Sequence, residues 1–161
     1  MSIEERLAKL EAESEIRRLK ARYLNACDAK DVAAVRACFT EDAHIDFAGM
    51  GQFTLDQLLG IFTELAVSTP IADSHHGHNA EIEIVSVDHV KARWNLGFST
   101  FDPRTNSFRV MSMFYHDEYR RTDVGWRISA SRTEARTVVE GRLEAGSVTG
   151  AMLVPPPVQA G

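Results

Sequence analysis

The chain has 161 residues, 44% hydrophobic and 25% charged, the size and make-up of one globular domain with a single core. Its net charge of −5, with 18 Lys and Arg scattered among 23 acids, leaves no basic stripe to track phosphates, so nucleic acid is not an expected partner. The opening MSIEERLAKLEAESEIRRLK is charged throughout, and no stretch approaches the ~20 apolar residues of a membrane span. Neither a secretory signal nor a membrane partner is expected, and the address read from this is cytoplasmic.

In chain order, Ile3, Leu7 and Leu10 form a first helical stripe and Ile16, Leu19, Tyr23 and Ala26 a second. The register slips between Glu11 and Glu15, where a bend or a separate short helix is expected. Asp28 closes this helix, and Asp31 is placed to cap the next, which carries Val32, Val35 and Phe39. Cys27 and Cys38 fall in these helical patterns and, in a cytoplasmic protein, are expected as buried thiols and not as a disulfide. AHIDFAG follows as a short strand. Thr54 and Gln57 have capping-box spacing and open a third helix with the stripe Leu55, Leu58, Leu59, Phe62, ended near Pro70.

From Ser74 the period changes to two. Ile82 and Ile84 alternate with acids, and Val90, Ala92, Trp94, Leu96 and Phe98 share one face of a long strand. DPRTN is a turn. In the next strand Val110, Ser112, Phe114 and His116 form one face and Met111, Met113, Tyr115 and Tyr119 the other. DVG is a second turn, and Trp126, Ile128 and Ala130 begin the last strand. Helices gathered first and antiparallel strands second indicate an α+β fold, with three helices on one curved sheet of four to six strands and a pocket between the layers. Residues 1–140 are expected as a single domain, and 141–161 as a partly flexible C-terminal extension whose AMLVPPP segment is placed to close the pocket.

The residues suited to chemistry are Asp28, Tyr23 and the cluster Ser74-His75-His76-Gly77-His78-Asn79. A carboxylate at a helix C-terminus opposes the macrodipole and needs a compensating donor. An Asp–His pair would supply one, fixing the imidazole tautomer and favouring its proton-accepting role, while Tyr23 could donate to a substrate oxygen. Unbroken alternation puts His76 and His78 with Ile82 and Ile84, and His75 opposite. Gly77 allows a bulge, so alternation alone leaves open which histidine faces inward. Two plainer readings stand beside this one: polar strand-entry histidines, and a metal site, although the ligand spacing matches no known closed site. Arg132 shares parity with Trp126, Ile128 and Ala130 and is expected to point into the pocket, or else to pair with Glu134 or Glu140 beyond its rim.

Tyr23 and Asp28, then HHGHNAEIEI, a long strand with ARWNL, and MFYHDEYRR–turn–GWRI together resemble the SnoaL-like family. Its members are polyketide cyclases and dehydratases of the nuclear transport factor 2-like superfamily. The resemblance covers roughly residues 10–140 and implies a cone-shaped α+β barrel. It also implies a cofactor-independent lyase or isomerase acting on a hydrophobic polycyclic, steroid-like or aromatic molecule. Carried over, the general base falls on His75, its orienting aspartate on Asp28 and the oxygen-binding tyrosine on Tyr23. In the family's bile-acid dehydratases a second acid lies on the long strand and a second tyrosine on the short one. Here those positions are Phe98 and Phe47, so the acid that would protonate a leaving hydroxide is absent or moved; His44, Asp46 and His116 are the candidates to replace it. Phe47, Trp94, Phe98, Arg132 and His44 are the expected substrate-binding residues. No metal or cofactor is implied. The alternative is a non-catalytic binding or assembly module of the same fold. The Met111, Met113, Tyr115, Tyr119 stripe is expected on the outer face of the sheet, where it would need a cover, so a homodimer or homotrimer is expected.

Overall fold

The computed structural model describes residues 2–47 and 50–144. The expectations for the 141–161 extension beyond Glu144, AMLVPPP included, lie outside the described residues. Helix α1 (Ile3–Asp28) starts at a capping box in which Ser2 Oγ accepts from the Glu5 N–H (3.1 Å) and Glu5 accepts from the Ser2 N–H (2.7 Å). It runs unbroken through Glu11–Glu15, where a bend was expected. Those residues are strong helix formers without Gly or Pro, and Glu13 pairs with Arg17 one turn on, so the slip in hydrophobic register ends burial without ending the helix. Ile3, Leu7 and Leu10 are exposed; burial begins at Ala12 and continues through Ile16, Leu19, Lys20, Tyr23, Leu24 and Cys27.

Asp31 caps α2 (Val32–Ala37) by accepting from the Ala34 N–H (2.9 Å). After β1 (Phe39–Phe47) and β2 (Gly51–Phe53), the Thr54–Gln57 capping box opens α3 (Leu55–Phe62), which continues into a π-helical turn at Thr63–Val67. Four long strands follow: β3 (Ala72–Ile84), β4 (His89–Asp102), β5 (Ser107–Thr122) and β6 (Gly125–Arg142). They form one six-stranded sheet in the order β2-β1-β6-β5-β4-β3. Every neighbouring pair is antiparallel except β1 with β6, which run parallel, a departure from the expected all-antiparallel sheet. The curved sheet is open and not a closed barrel, with β2 and β3 as its edges. The helices cover one face, where Ile16, Leu19, Ile45, Leu55, Val90, Trp94, Tyr119 and Ile128 form the core. No helix among the described residues is long and apolar enough to cross a membrane.

Two bulges decide which side chains reach that core. In β3 the pairing slips between His78 and Glu81, with Asn79 at φ +48°, so two residues oppose one and the facing parity reverses. In β6 the pairing slips at Ser129: Tyr119 opposes Ile128 but Glu118 opposes Ala130, and parity reverses again. The β5 stripe is a correction. Tyr115 and Tyr119 are buried under the helices, opposite Trp94 and Val90, and the outer face is the one with Val110, Ser112 and Phe114. Both faces of β5 carry aromatic residues, so alternation gave the stripes without their orientation. The oligomer expected from an exposed Met and Tyr stripe loses that basis.

Candidate active site

Asp28 is the last residue of α1, where the helix carbonyls disfavour a negative charge. Two donors from one residue compensate it. The Asp28 carboxylate meets the His75 ring Nδ1 at 2.6 Å and accepts the His75 backbone N–H at 3.1 Å. Both side chains are largely shielded, at 15% exposure for His75 and 30% for Asp28. The carboxylate selects the Nδ1–H form of the ring, which leaves Nε2 as the nitrogen able to exchange a proton with a substrate. The Asn79 bulge makes this possible: before it His75 and Gly77 face α1, and after it Ile82 and Ile84 do. A Cβ on Gly77 would stand 3.0 Å from Leu24, so glycine there lets α1 lie close enough to β3 for Asp28 to reach across. Phe98, opposite His75 in register, packs its ring 4.5 Å from the imidazole.

Tyr23 sits deeper on the same helix. Its ring meets Phe39 and Tyr115 edge-on at 5.2 and 6.3 Å. Burial holds both phenols well above their usual range, so both stay protonated as donors. Beside them lies a network the sequence reading missed. The Lys20 ammonium pairs with Asp117 at 2.7 Å, with both side chains essentially unexposed. Asp117 also accepts from the Tyr119 hydroxyl (2.9 Å) and the Ser131 hydroxyl (2.8 Å), and Trp94 Nε1 donates to Tyr119 (3.0 Å). Lys20 Nζ stands 3.4 Å from the Tyr115 ring centre. Burial draws this ammonium below its ordinary range, while Asp117 works in the opposite direction. The signal was present: Lys20 falls on the Ile16–Tyr23 stripe and Asp117 lies between Tyr115 and Tyr119, two opposite charges in otherwise apolar rows.

The sequence model of the SnoaL-like domain matches residues 8–132. The chain belongs to the SnoaL-like family. Among solved structures it is similar to LinA (20% identity over 93% of this chain and 98% of that one, TM-score 0.77). It is also similar to the hexachlorocyclohexane dehydrochlorinase LinA-type3 of Novosphingobium barchaimii LL02 (20% identity, 93% and 99% coverage, TM-score 0.76). A third is a provisionally assigned scytalone dehydratase of Novosphingobium aromaticivorans (18% identity, 91% and 98% coverage, TM-score 0.77). At these identities the likeness is one of fold. Comparison with curated proteins gave no match in sequence.

On this SnoaL-like fold the remaining site candidates separate. Phe47 and Phe98 are half-buried against the core on the helix-covered face. Trp94 is buried and spends its indole N–H on Tyr119, so it belongs to the core network more than to an open wall. His44 and Arg132, expected among the substrate-binding residues, do not face His75. Both are exposed on the other face, in a groove of about 550 Å³ shared with Asp46, Glu81, Arg93 and His116. The Ser129 bulge is the cause, since it turns Ser131 and Thr133 inward and Arg132 outward. His44, Asp46 and His116 therefore cannot replace the acid missing at Phe98; His116 instead bonds Glu134 at 3.2 Å. His76 and His78 stack on each other, 5.9 Å apart. Among the described residues no group of three or more His, Cys, Asp or Glu could hold a metal ion. The crevice that includes His75 lies between α1 and β3, with about 220 Å³.

Proposed function

We propose that this SnoaL-like protein is a cofactor-independent lyase or isomerase in which His75, oriented by Asp28, is the general base. The carrying observation is the two-point hold of Asp28 on His75, through ring Nδ1 and backbone N–H, which aims Nε2 away from the carboxylate. Nε2 takes a proton from a carbon beside a carbonyl or a leaving group. Tyr23, kept protonated by burial, is the donor to a substrate oxygen as negative charge develops there. The half-buried aromatic rings of Phe47, Phe62 and Phe98 on the same face suit a flat hydrophobic substrate, polycyclic, steroid-like or aromatic.

The apolar surroundings narrow the reaction. With Phe at positions 47 and 98 and His44, Asp46 and His116 on the other face, a departing hydroxide finds no carboxylic acid or imidazolium from these positions to protonate it. The reading therefore favours a group that leaves as a stable anion, or a proton shift that expels nothing, over simple dehydration. A panel of steroid, polyketide and aromatic ketones and of halogenated rings provides the screen. On any substrate found, His75→Ala should lower kcat by roughly 10²–10⁴-fold with an unchanged circular dichroism spectrum. Unaltered turnover by the variant would remove His75 as the base.

A further inference from the structure

The two residues of the His75–Asp28 pair lie on segments 47 positions apart, and a second contact joins those segments beside it. Lys30, two residues past Asp28, forms an ion pair with Asp73, two residues before His75. Asp73 is only 9% exposed and Lys30 21%. Lys30 holds φ +58°, a left-handed conformation unfavourable for a non-glycine residue, and its N–H closes the end of α1 onto the Cys27 carbonyl. Residues two apart on a strand share a face, so Asp73 and His75 project together from β3 toward the end of α1.

We infer that Lys30 and Asp73 are positioning residues for the base, an inference that rests on the function proposed above. Asp28–His75 and Lys30–Asp73 form two adjacent rungs between the same helix end and the same strand. The second rung pairs off two charges that flank the dyad: it neutralises Asp73, the shielded carboxylate two residues before His75 on the same strand face, and it occupies the Lys30 ammonium two residues past Asp28. Without Lys30, Asp73 is left as an unpaired anion that can compete with Asp28 for the ring. Without Asp73, Lys30 is free to turn to Asp28, the carboxylate two residues before it, and draw it from His75. Removing both leaves neither competitor, since breaking a shielded pair on one side is costly while removing both partners is nearly neutral.

The test is a double-substitution cycle read by NMR of the ring nitrogens, which needs no substrate. In the wild-type chain the His75 Nδ1–H proton should appear far downfield, as expected for a short hydrogen bond to a carboxylate. Lys30→Met and Asp73→Asn should each shift or broaden that resonance beyond detection. The double variant should restore it, and Lys30→Arg should keep it. With a substrate in hand, the single variants should lose roughly 10–100-fold in kcat with little change in KM. If Lys30→Met does not fold, Asp73→Asn and Lys30→Arg complete the comparison. An unmoved Nδ1–H signal in the single variants, or a double variant no better than the singles, would overturn the inference. Because the signal reports geometry, a clamp that works in a chain without lyase turnover would count against the proposed function alone.

Discussion

Replacing Lys20 by Met removes the cation from a pair whose side chains are 1% and 0% exposed. Asp117 keeps the hydroxyls of Tyr119 and Ser131 but loses the ammonium at 2.7 Å, so it is left as a buried anion with two neutral donors. Breaking a buried pair from one side costs about 3–5 kcal/mol. Loss of the cation 3.4 Å from the Tyr115 ring centre adds about 1 kcal/mol. The two retained hydroxyls hold the total toward the lower end, and the methionine fills most of the lysine stem's volume. A loss of about 4 kcal/mol follows, which for a domain of this size lowers Tm by roughly 8–16 °C. Urea unfolding followed by circular dichroism measures it, with an m-value close to wild type as the check that the denatured state is unchanged. Lys20→Met combined with Asp117→Asn should recover most of the loss, because asparagine can still accept from Tyr119 without a charge. A single variant within about 1 kcal/mol of wild type, or a double variant no more stable than the single, would refute the reasoning that this pair and its hydroxyl shell hold α1 to the sheet.

Other expectations follow from the same packing. Burial pushes the Cys27 thiol up to about 12 and raises that of Cys38, so at pH 8 neither presents a thiolate. A disulfide-exchange reagent at that pH should label neither cysteine of the folded chain and both after denaturation; rapid native labelling would contradict their burial. Gly77→Ala places a methyl 3.0 Å from Leu24 and should cost about 1–3 kcal/mol, read by thermal unfolding. It should also loosen the Asp28–His75 contact, because the same gap sets how closely α1 approaches β3. A stable variant with an unchanged His75 ring signal would show that Leu24 yields without moving the helix.

Local chemistry was legible in the sequence and long-range orientation was not. The caps at Asp31 and at Thr54 with Gln57 depend on side chains a few residues from the backbone they satisfy, and they stand in the structure as their spacing suggested. The third helix and the β-rich second half were equally plain from periodicity. Which face of a strand turns inward depends on bulges, and a bulge leaves only a faint mark in sequence. Ser129 has nothing to announce that it steps out of register, so parity left open whether Arg132 points into the pocket, and the structure turns it outward. Gly77 hinted at an irregularity in β3, but the residue that takes the positive φ is Asn79. Resemblance, not alternation, pointed to His75, and the structure sets that histidine against Asp28. The Lys20–Asp117 pair, 97 residues apart, could have been suspected from two charges interrupting apolar rows, but nothing local showed that they meet.

The first turns of α1 offer an experimental use. Its 26 residues make a rod of about 39 Å whose core contact begins at Ala12, while Glu5, Ala8 and Lys9 of the outer turns line a crevice against Ile84, Val85 and Arg121 at the end of the sheet. A spin label at exposed Leu7 would sit about 31 Å along the rod from Asp28, far enough to leave the histidine undisturbed and rigidly joined to the residue that holds it. Paired with a second label on β5, it would magnify any tilt of the helix end into a shift in label separation that pulsed spectroscopy can measure. The length of the rod thus turns a small movement at the base into a larger one at the surface.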